Sequence, residues 1–372
     1  MKIDQIDLYQ IHMPLVAPFE TSFGSKDHRN LILARVCADG LVGWGEYASD
    51  GPGYSYETVE SGWHILKDYL IPLALSAPFS GPRECPERFH RVRGHNFAKS
   101  CLEGALWDLF AQRSGLSLRA YLDAGRGITR DRVTVGVSIG IQPSPQKLAE
   151  KIETFLQYGY LRIKIKIKPG RDIEDARVAR SVLPGRMLMV DANSAYSLAD
   201  AGVFQAMEDL DLLMIEQPLG YDDIYEHHKL QRQLRTPICL DESIHTPDHA
   251  RMAIELDACK IINIKQGRSG GLTRAIEIHD LCQAAGMPVW CGGMLETGIG
   301  RALNLALASL PNFTLPSDLS ASNRYYNPDI IDPPFDINPD GTLSVPTGPG
   351  LGVQIVPSRL KAATLRAATF RP

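Results

Sequence analysis

Three acidic residues follow short apolar runs at equal distances along the chain. Asp191, Glu216 and Asp241 each end such a run, 25 residues apart. Any one of them could simply cap a helix, because Asp is common at the N-terminus of a helix that follows a strand. Three carboxylates side by side on adjacent strands would repel one another unless a cation lay between them, and oxygen ligands of this kind favour Mg²⁺ or Mn²⁺. Together the three residues predict a divalent-metal site.

Lysines form a second set of reactive side chains. Isoleucine and lysine alternate in residues 162–168, so a strand would place Lys164 and Lys166 on one face and the isoleucines on the other. A strand at the protein surface would give the same stripe of lysines. A closed barrel has no solvent face, and there the lysines would point into the lumen. A further lysine, Lys265, ends the apolar run 261–265.

A metal beside lysines indicates one kind of chemistry. Removing a proton from the carbon next to a carboxylate builds a second negative charge on the carboxylate oxygens, and a bound divalent cation stabilises this enediolate. A lysine that formed a Schiff base would not require three metal carboxylates. We therefore expect Lys166 and Lys265 to act as acid and base on a small carboxylate substrate.

The elements that must position these residues recur with a regular period. From residue 133 onward, short β-rich runs alternate with helical stretches, which is typical of βα units around a parallel sheet. So regular a period favours a closed barrel over a doubly wound sheet, and no Gly-x-Gly-x-x-Gly turn follows any run. The predicted fold is α/β, a (β/α)7β TIM-like barrel with its active site at the C-terminal strand ends. Strands two and six would lie four apart in the ring of eight, so that Lys166 and Lys265 face each other. The predicted strand ends, 24 to 27 residues apart, are Ser138, Lys164, Asp191, Glu216, Asp241, Lys265, Cys291 and Asp318.

The first part of the chain has a different pattern. Residues 3–13 and 31–37 alternate like strands, and Asp39-Gly40 is a hairpin turn signal before another strand. Residues 56–75 and 98–113 carry apolar side chains at helical spacing. This is the pattern of an α+β domain.

These patterns predict three segments. We expect residues 1–127 to form an α+β domain that caps the barrel, and residues 128–321 to form the barrel itself. Residues 322–372 show no further βα unit. We expect this C-terminal tail to return to the N-terminal segment and complete the capping domain.

The composition excludes some classes of function. Lys and Arg number 39 against 43 Asp and Glu, a net charge of −4, so binding to nucleic acid is not expected. Asp4 and Asp7 argue against a signal peptide, and the longest uncharged run, 341–358, contains four glycines and three prolines, which argues against a membrane helix. The seven cysteines form no Cys-x-x-Cys pair, which predicts reduced thiols in a cytoplasmic protein without disulfides or a zinc site.

The residues above resemble the enolase superfamily and, within it, the muconate-lactonizing subgroup, which pairs a Lys-x-Lys on strand two with a lysine on strand six. The resemblance spans nearly the whole chain. Three segments are similar to the o-succinylbenzoate synthase / N-succinylamino acid racemase family: residues 18–24 (PFETSFG), in a mobile loop of the capping domain, 190–196 (VDANSAY) and 292–300 (GGMLETGIG).

The resemblance implies a role for individual residues. Asp191, Glu216 and Asp241 would bind Mg²⁺ (or Mn²⁺), and Lys166 and Lys265 would be the acid/base pair. Lys164 would orient Lys166 and the substrate carboxylate. Arg268, which could otherwise be a surface residue in the first turn of a helix, follows Lys265 as in members that racemise N-succinylamino acids. The residues implied in substrate binding are Lys164, Ser138, Asn193, Arg268, Gly293, Met294, Leu295, Phe19 and Phe23.

The implied activity is o-succinylbenzoate synthesis in menaquinone biosynthesis, racemisation of N-succinylamino acids, or both, in a homo-oligomer. Both reactions begin with the same enediolate. A dipeptide epimerase or a muconate cycloisomerase-like enzyme is the alternative, although residues 317–320 (Ser-Asp-Leu-Ser) lack the second acid of the Asp-x-Asp with which dipeptide epimerases bind a free ammonium. Ser269 also departs from the small apolar residue common in the family. A metal-binding barrel that serves only as a binding module would be credible if a lysine or a carboxylate had been lost, but all five are present.

Overall fold

The computed structural model describes residues 1–123 and 129–372. Its N-terminal segment begins with an antiparallel meander of three strands, β1 (Gln5–Thr21), β2 (Gly24–Ala38) and β3 (Leu41–Tyr47). The predicted strands are confirmed, and β1 and β2 extend further than the alternation suggested. The segment 18–24, predicted to be a mobile loop, is the tip of this hairpin.

Helices follow the meander. A π-helical turn, Leu66–Leu70, joins the first two. The helix predicted from residue 56 begins only at Val59, because the side chain of Thr58 accepts a hydrogen bond from the backbone N–H of Ser61 and so caps the helix. The helices are α1 (Val59–Ile65), α2 (Ile71–Leu75), α3 (Cys85–Arg88), α4 (Asn96–Arg113) and α5 (Leu118–Leu122).

The second half of the molecule is built on seven parallel strands. After the short strand β4 (Arg132–Thr134), the strands follow one another in chain order in a single sheet, which confirms the predicted α/β barrel architecture. The strands are β5 (Gly136–Ile139), β6 (Arg162–Lys166), β7 (Met187–Asp191), β8 (Ile215–Glu216), β9 (Ile238–Leu240), β10 (Ile261–Ile264) and β11 (Val289–Cys291). The helices that alternate with them are α6 (Pro145–Gln157), α7 (Asp172–Val182), α8 (Ala201–Gln205), α9 (Tyr225–Gln231), α10 (Pro247–Glu255), α11 (Gln266–Ser269), α12 (Leu272–Ala284) and α13 (Gly298–Ala308).

A two-residue segment takes the place of the predicted eighth strand. The N–H of Ser317 donates to the carbonyl oxygen of Thr134 at 3.0 Å, and the Ser317 carbonyl accepts from the N–H of Gly136 at 2.8 Å. The N–H of Asp318 donates to the Cys291 carbonyl at 2.9 Å on the other side. The segment therefore bridges the first and last strands of the sheet and closes the ring. It is not extended backwards as a strand, because Pro316 has no N–H to donate.

The tail returns to the N-terminal segment. Its last strand, β15 (Thr364–Phe370), pairs with β1, so that the sheet has four strands in the order β15-β1-β2-β3. The predicted domain boundary between residues 127 and 128 lies outside the described residues, and the boundary between residues 321 and 322 stays a prediction. The elements of the tail are β12 (Ile331–Asp332), β13 (Thr342–Ser344), β14 (Gln354–Ile355), α14 (Pro357–Ala363) and β15 (Thr364–Phe370).

None of the helices that the structure describes is both long and apolar enough to cross a membrane. All seven cysteines are free thiols, and six of them are buried.

The capping sheet is held against α4 by a close backbone approach. A Cβ atom built on Gly45 of β3 would overlap the carbonyl oxygen of Cys101 in α4, and one built on Gly43 would overlap the carbonyl of Ala105. The strand and the helix can therefore pack this tightly only because these positions lack side chains.

We expect Gly45→Ala to lower the free energy of unfolding by about 1–3 kcal/mol, because the added methyl group forces the sheet and α4 apart. The control is Gly202→Ala in α8, where a Cβ would meet no atom within 4 Å. That change should be neutral or stabilise the protein by up to about 1 kcal/mol. Urea unfolding followed by circular dichroism measures both, and equal stability of the two variants would contradict the close approach.

Candidate active site

The alternating run in β6 directs its lysines into the barrel. Lys164 and Lys166 are only 3% and 9% exposed, and their ammonium groups contact carboxylates on neighbouring strands. The alternative of a solvent-exposed lysine stripe is therefore wrong. Burying two ammonium groups is costly unless each is paired with an opposite charge, and the strand ends supply those charges.

The three predicted metal ligands are fully buried at adjacent strand ends. Asp191 and Glu216 are paired in register on β7 and β8, and Asp241 directly follows β9. The Nζ atom of Lys164 lies 3.2 Å from Asp191 Oδ2 and 2.8 Å from Glu216 Oε2. Oxygen atoms from two of the carboxylates thus converge on one positive group. Asp241 is bound instead by Lys265 at 2.7 Å and by Arg268.

Burial and neighbouring opposite charges shift the pKa values of these groups in opposite directions. Burial, together with the carboxylate of Asp191, raises the pKa of Glu216 to about 8. Burial also acts to raise the pKa of Asp241, but Lys265 and Arg268 outweigh it and hold that pKa well below its usual value. Burial alone would lower the pKa of Lys164, yet Asp318 and the other carboxylates raise it well above its usual value. The charge of the buried carboxylates at the strand ends therefore depends on the lysines and the arginine beside them.

The chemistry of the donors fits a hard divalent cation. The three side chains offer only carboxylate oxygens, the donors that Mg²⁺ and Mn²⁺ prefer, and their mutual repulsion is what such an ion would offset. Ammonium and guanidinium groups donate hydrogen bonds to these oxygens. The three carboxylates themselves do not line the cavity. Accordingly, no group of three or more His, Cys, Asp or Glu side chains forms a metal cage within residues 1–123 and 129–372.

The two predicted acid/base lysines face one cavity from opposite sides. Strands β6 and β10 lie four positions apart in the ring, and Lys166 and Lys265 both line one cavity between barrel and capping domain. Lys166 Nζ donates to Asp191 Oδ2 at 2.6 Å and to Asn193 Oδ1 at 2.7 Å. Lys265 Nζ donates to Asp241 Oδ2 at 2.7 Å. Each lysine is thus held by one of the predicted metal ligands.

The cavity collects most of the residues predicted to bind substrate. Ser138 at the end of β5 has a buried Oγ without a hydrogen-bond partner, so this hydroxyl is free to bind a ligand. Asn193 is held by Glu242, whose Oε1 accepts from its amide at 2.8 Å. All of the predicted residues line the cavity except Arg268: Lys164, Ser138, Asn193, Gly293, Met294, Leu295, Phe19 and Phe23.

Arg268 lies behind Lys265 and not against the cavity. It is 1% exposed, so the surface alternative is wrong, and its guanidinium donates to the carbonyl oxygens of Asn263 at 2.6 Å and Ile244 at 2.8 Å. It also contacts Asp241, the carboxylate that binds Lys265. This placement suits a residue that positions Lys265 better than one that contacts substrate.

Two residues of this cluster were not among the predicted site residues. The hydroxyl of Tyr54 accepts hydrogen bonds from Lys265 at 2.9 Å and from Arg268 at 2.8 Å, and donates to Asp241 at 3.2 Å. Nothing local in the sequence indicates that this capping-domain residue reaches the barrel. Asp318 contacts Lys164 and Arg162, each at 2.6 Å. Its position at the last predicted strand end was a usable signal.

Two lysines face each other across the mouth of this barrel, and carboxylates end three adjacent strands beneath a separate cap. This arrangement suits enzymes that remove a proton next to a carboxylate. Residues 5–122 match the mandelate racemase / muconate lactonizing enzyme N-terminal domain, and residues 147–359 match the enolase C-terminal domain-like family. The chain belongs to the enolase superfamily. It is an enzyme of the lyase and isomerase type found there.

Relatives under two names match almost the whole chain. An o-succinylbenzoate synthase of Geobacillus kaustophilus is 49% identical over 372 residues, 100% of this chain and 98% of the relative. An N-succinylamino acid racemase of Amycolatopsis is 46% identical over 366 residues, 98% of each chain. A solved structure of an enolase-superfamily member from Listeria innocua superposes with a TM-score of 0.95 at 38% identity, covering 100% of this chain and 99% of the other.

We expect Asp318→Asn to lower the free energy of unfolding by about 3 kcal/mol at pH 7, because it leaves the buried Lys164 and Arg162 short of one negative charge. Asp340→Asn is the control, since it breaks an ion pair with Arg132 in which both side chains are about half exposed. A pair this exposed to solvent should contribute little to stability. Chemical denaturation compares the two, and a loss at Asp318 no larger than at Asp340 would contradict the charge balance described.

Proposed function

We propose that the chain catalyses the divalent-metal-dependent removal of a proton α to a carboxylate, and that it acts as an o-succinylbenzoate synthase, an N-succinylamino acid racemase, or both. The observation that carries the proposal is the placement of Lys166 and Lys265 on opposite sides of one cavity. Relatives of both names are similar to this chain over nearly all of its length. Their names support the choice of substrates.

Asp191, Glu216 and Asp241 would hold Mg²⁺ or Mn²⁺. A bound ion of this kind supplies positive charge that offsets the charge of an enediolate. Lys164, buried among Asp318, Glu216 and Asp191, contributes a fixed positive charge beside the substrate carboxylate. The unpartnered hydroxyl of Ser138 offers the substrate a hydrogen bond on the same side of the cavity.

The two lysines would divide the work according to the reaction. In racemisation a proton leaves one face of the α-carbon and returns on the other, so both Lys166 and Lys265 must exchange protons with substrate. A syn elimination needs acid/base chemistry on one face only. There the family resemblance assigns Lys166 as acid and base, and Lys265 stabilises the intermediate by its charge. Tyr54 and Arg268 would hold Lys265 in place for either role.

The site argues against the alternatives. A dipeptide epimerase needs acids near the last strand that are free to bind an ammonium group, but Asp318 is already paired with Lys164 and Arg162, and the residue two positions on is Ser320. No observation specifically favours a muconate cycloisomerase-like reaction. A binding module without catalysis would not need two buried lysines facing one cavity. We further propose a cytoplasmic enzyme of menaquinone biosynthesis, supported for the compartment by the free cysteines. The homo-oligomer stays a prediction.

Removal of divalent metal should abolish turnover, because the charge of the enediolate would lack the cation that offsets it. The measurement is activity after treatment with a chelator, followed by gel filtration and titration with Mg²⁺ or Mn²⁺. We expect activity to return on addition of either ion. Full activity in metal-free protein would refute the proposed metal site.

We expect Lys166→Ala and Lys265→Ala each to reduce racemisation by about 10²- to 10⁴-fold, the usual loss for a positioned acid or base. Exchange of the α-proton in D₂O, followed by NMR from each enantiomer of an N-succinylamino acid, shows which face each lysine serves. Lys147→Ala in α6 is the control, since Lys147 is 61% exposed, pairs with Glu150 of the same helix and does not line the cavity. A variant at Lys166 or Lys265 that kept the rates of the parent protein in both racemisation and dehydration would show that the lysine is wrongly assigned.

A further inference from the structure

The capping-domain side of the cavity carries a pair of cations that the proposed chemistry does not use. Lys26 and Arg29 both contact the same oxygen, Asp50 Oδ1, with Arg29 Nη1 at 2.8 Å. The side chains of Arg29 and Asp50 are 6% and 5% exposed, whereas one third of the Lys26 side chain is exposed. Two positive charges share one carboxylate, so the cluster carries one uncompensated positive charge.

The hairpin directs this charge into the cavity. Lys26 lies opposite Phe19 in the β1–β2 register, and directly opposed residues of an antiparallel pair project from the same face. Both residues line the cavity. The ammonium group lies against Gly51 of the next loop, where a Cβ would come within 3.4 Å of Nζ. The ion pair of Lys26 with Asp50 thus joins the hairpin to this loop.

The cavity is cationic at both of its sides. On the barrel side Lys164, Lys166 and Lys265 line it, and on the capping side Lys26 and Arg29. The acids among its described lining residues are Asp50 and Asp318, and each is already bound by two cations. A substrate with a single carboxylate, held at the barrel side, would leave the capping-side charge without a partner.

We propose that Lys26, backed by Arg29 and Asp50, binds a second carboxylate at the far end of the substrate, and so selects dicarboxylates such as N-succinylamino acids over neutral N-acyl compounds. The inference rests on the proposed function and names the group that recognises its substrate class. An ammonium-carboxylate hydrogen bond in a partly buried site is strong enough to produce such a preference. Arg29, held by Asp50 and by the Ala48 carbonyl, keeps the cluster positive.

The test compares two substrates that differ only in this distal group. N-succinyl-L-phenylalanine carries the carboxylate, and N-(3-carbamoylpropanoyl)-L-phenylalanine replaces it with a neutral amide of the same shape. We measure kcat/KM for α-proton exchange of both in D₂O with Mg²⁺ present. The parent protein should prefer the succinyl compound by about tenfold or more, and Lys26→Met should bring that ratio close to one. Lys26→Arg, which keeps the charge, should retain most of the preference.

Lys168→Met separates recognition from support of the hairpin. Lys168 binds Glu20 of the same hairpin at 3.1 Å but does not line the cavity. If Lys26 acted only by holding the hairpin, Lys26→Met and Lys168→Met would each lower kcat/KM for both substrates equally. The ratio of the two kcat/KM values would then stay unchanged. A ratio near one in the parent protein, or one unchanged by Lys26→Met, overturns the inference.

Failure of the proposed function gives a different result. If neither compound exchanges its α-proton, the reaction is wrongly assigned, and calorimetric titration of the same two compounds then decides the inference. Tighter binding of the succinyl compound that is lost in Lys26→Met upholds the carboxylate site. Equal binding of the two compounds, or binding of neither, overturns it.

Discussion

The structure depends on compensating buried charge at the C-terminal ends of the barrel strands. The ammonium group of Lys164 contacts carboxylates from three places in the ring, Asp191, Glu216 and Asp318. Placing such groups in a lumen from which water is excluded costs several kcal/mol for each ion, and only close opposite charges recover it. Asp191, Glu216 and Asp318 therefore supply the acids that the buried Lys164 requires.

The same compensation links the site to the closure of the barrel. Asp318 belongs to the two-residue segment that joins the first and last strands, and its carboxylate binds Lys164 and Arg162 of β6. The guanidinium of Arg162 and the ammonium of Lys164 also lie over the ring of Trp290 in β11, at 5.2 and 4.9 Å from its centroid. Ring closure and the placement of Lys164 are therefore linked, because the residue that closes the ring also pairs with Lys164 and Arg162.

The capping domain supplies the other half of the site. Its loop brings the Tyr54 hydroxyl to Lys265, Arg268 and Asp241, and its hairpin places Phe19 and Lys26 over the cavity. The hairpin belongs to a sheet that the C-terminal strand β15 completes, so the two ends of the chain together position the roof. A roof built from separate segments can vary in its contacts with the far end of a substrate while the barrel keeps the proton chemistry.

The sequence by itself determined the barrel, its strand ends and the types of residue that meet there. Those features follow from local rules: the alternation of β6 decides which residues face the lumen, and the regular length of a βα unit brings Asp191, Glu216 and Asp241 to one rim. The tertiary structure alone decided which cations bind those acids and that Arg268 lies behind Lys265. It also decided that Tyr54 contacts Lys265 and that Lys26 lines the cavity. Tyr54 and Asp241 are 187 residues apart, and no periodicity within a segment encodes a contact between domains. Such contacts depend on how two separately formed layers pack, which is set by side-chain volumes and buried charge across the whole interface.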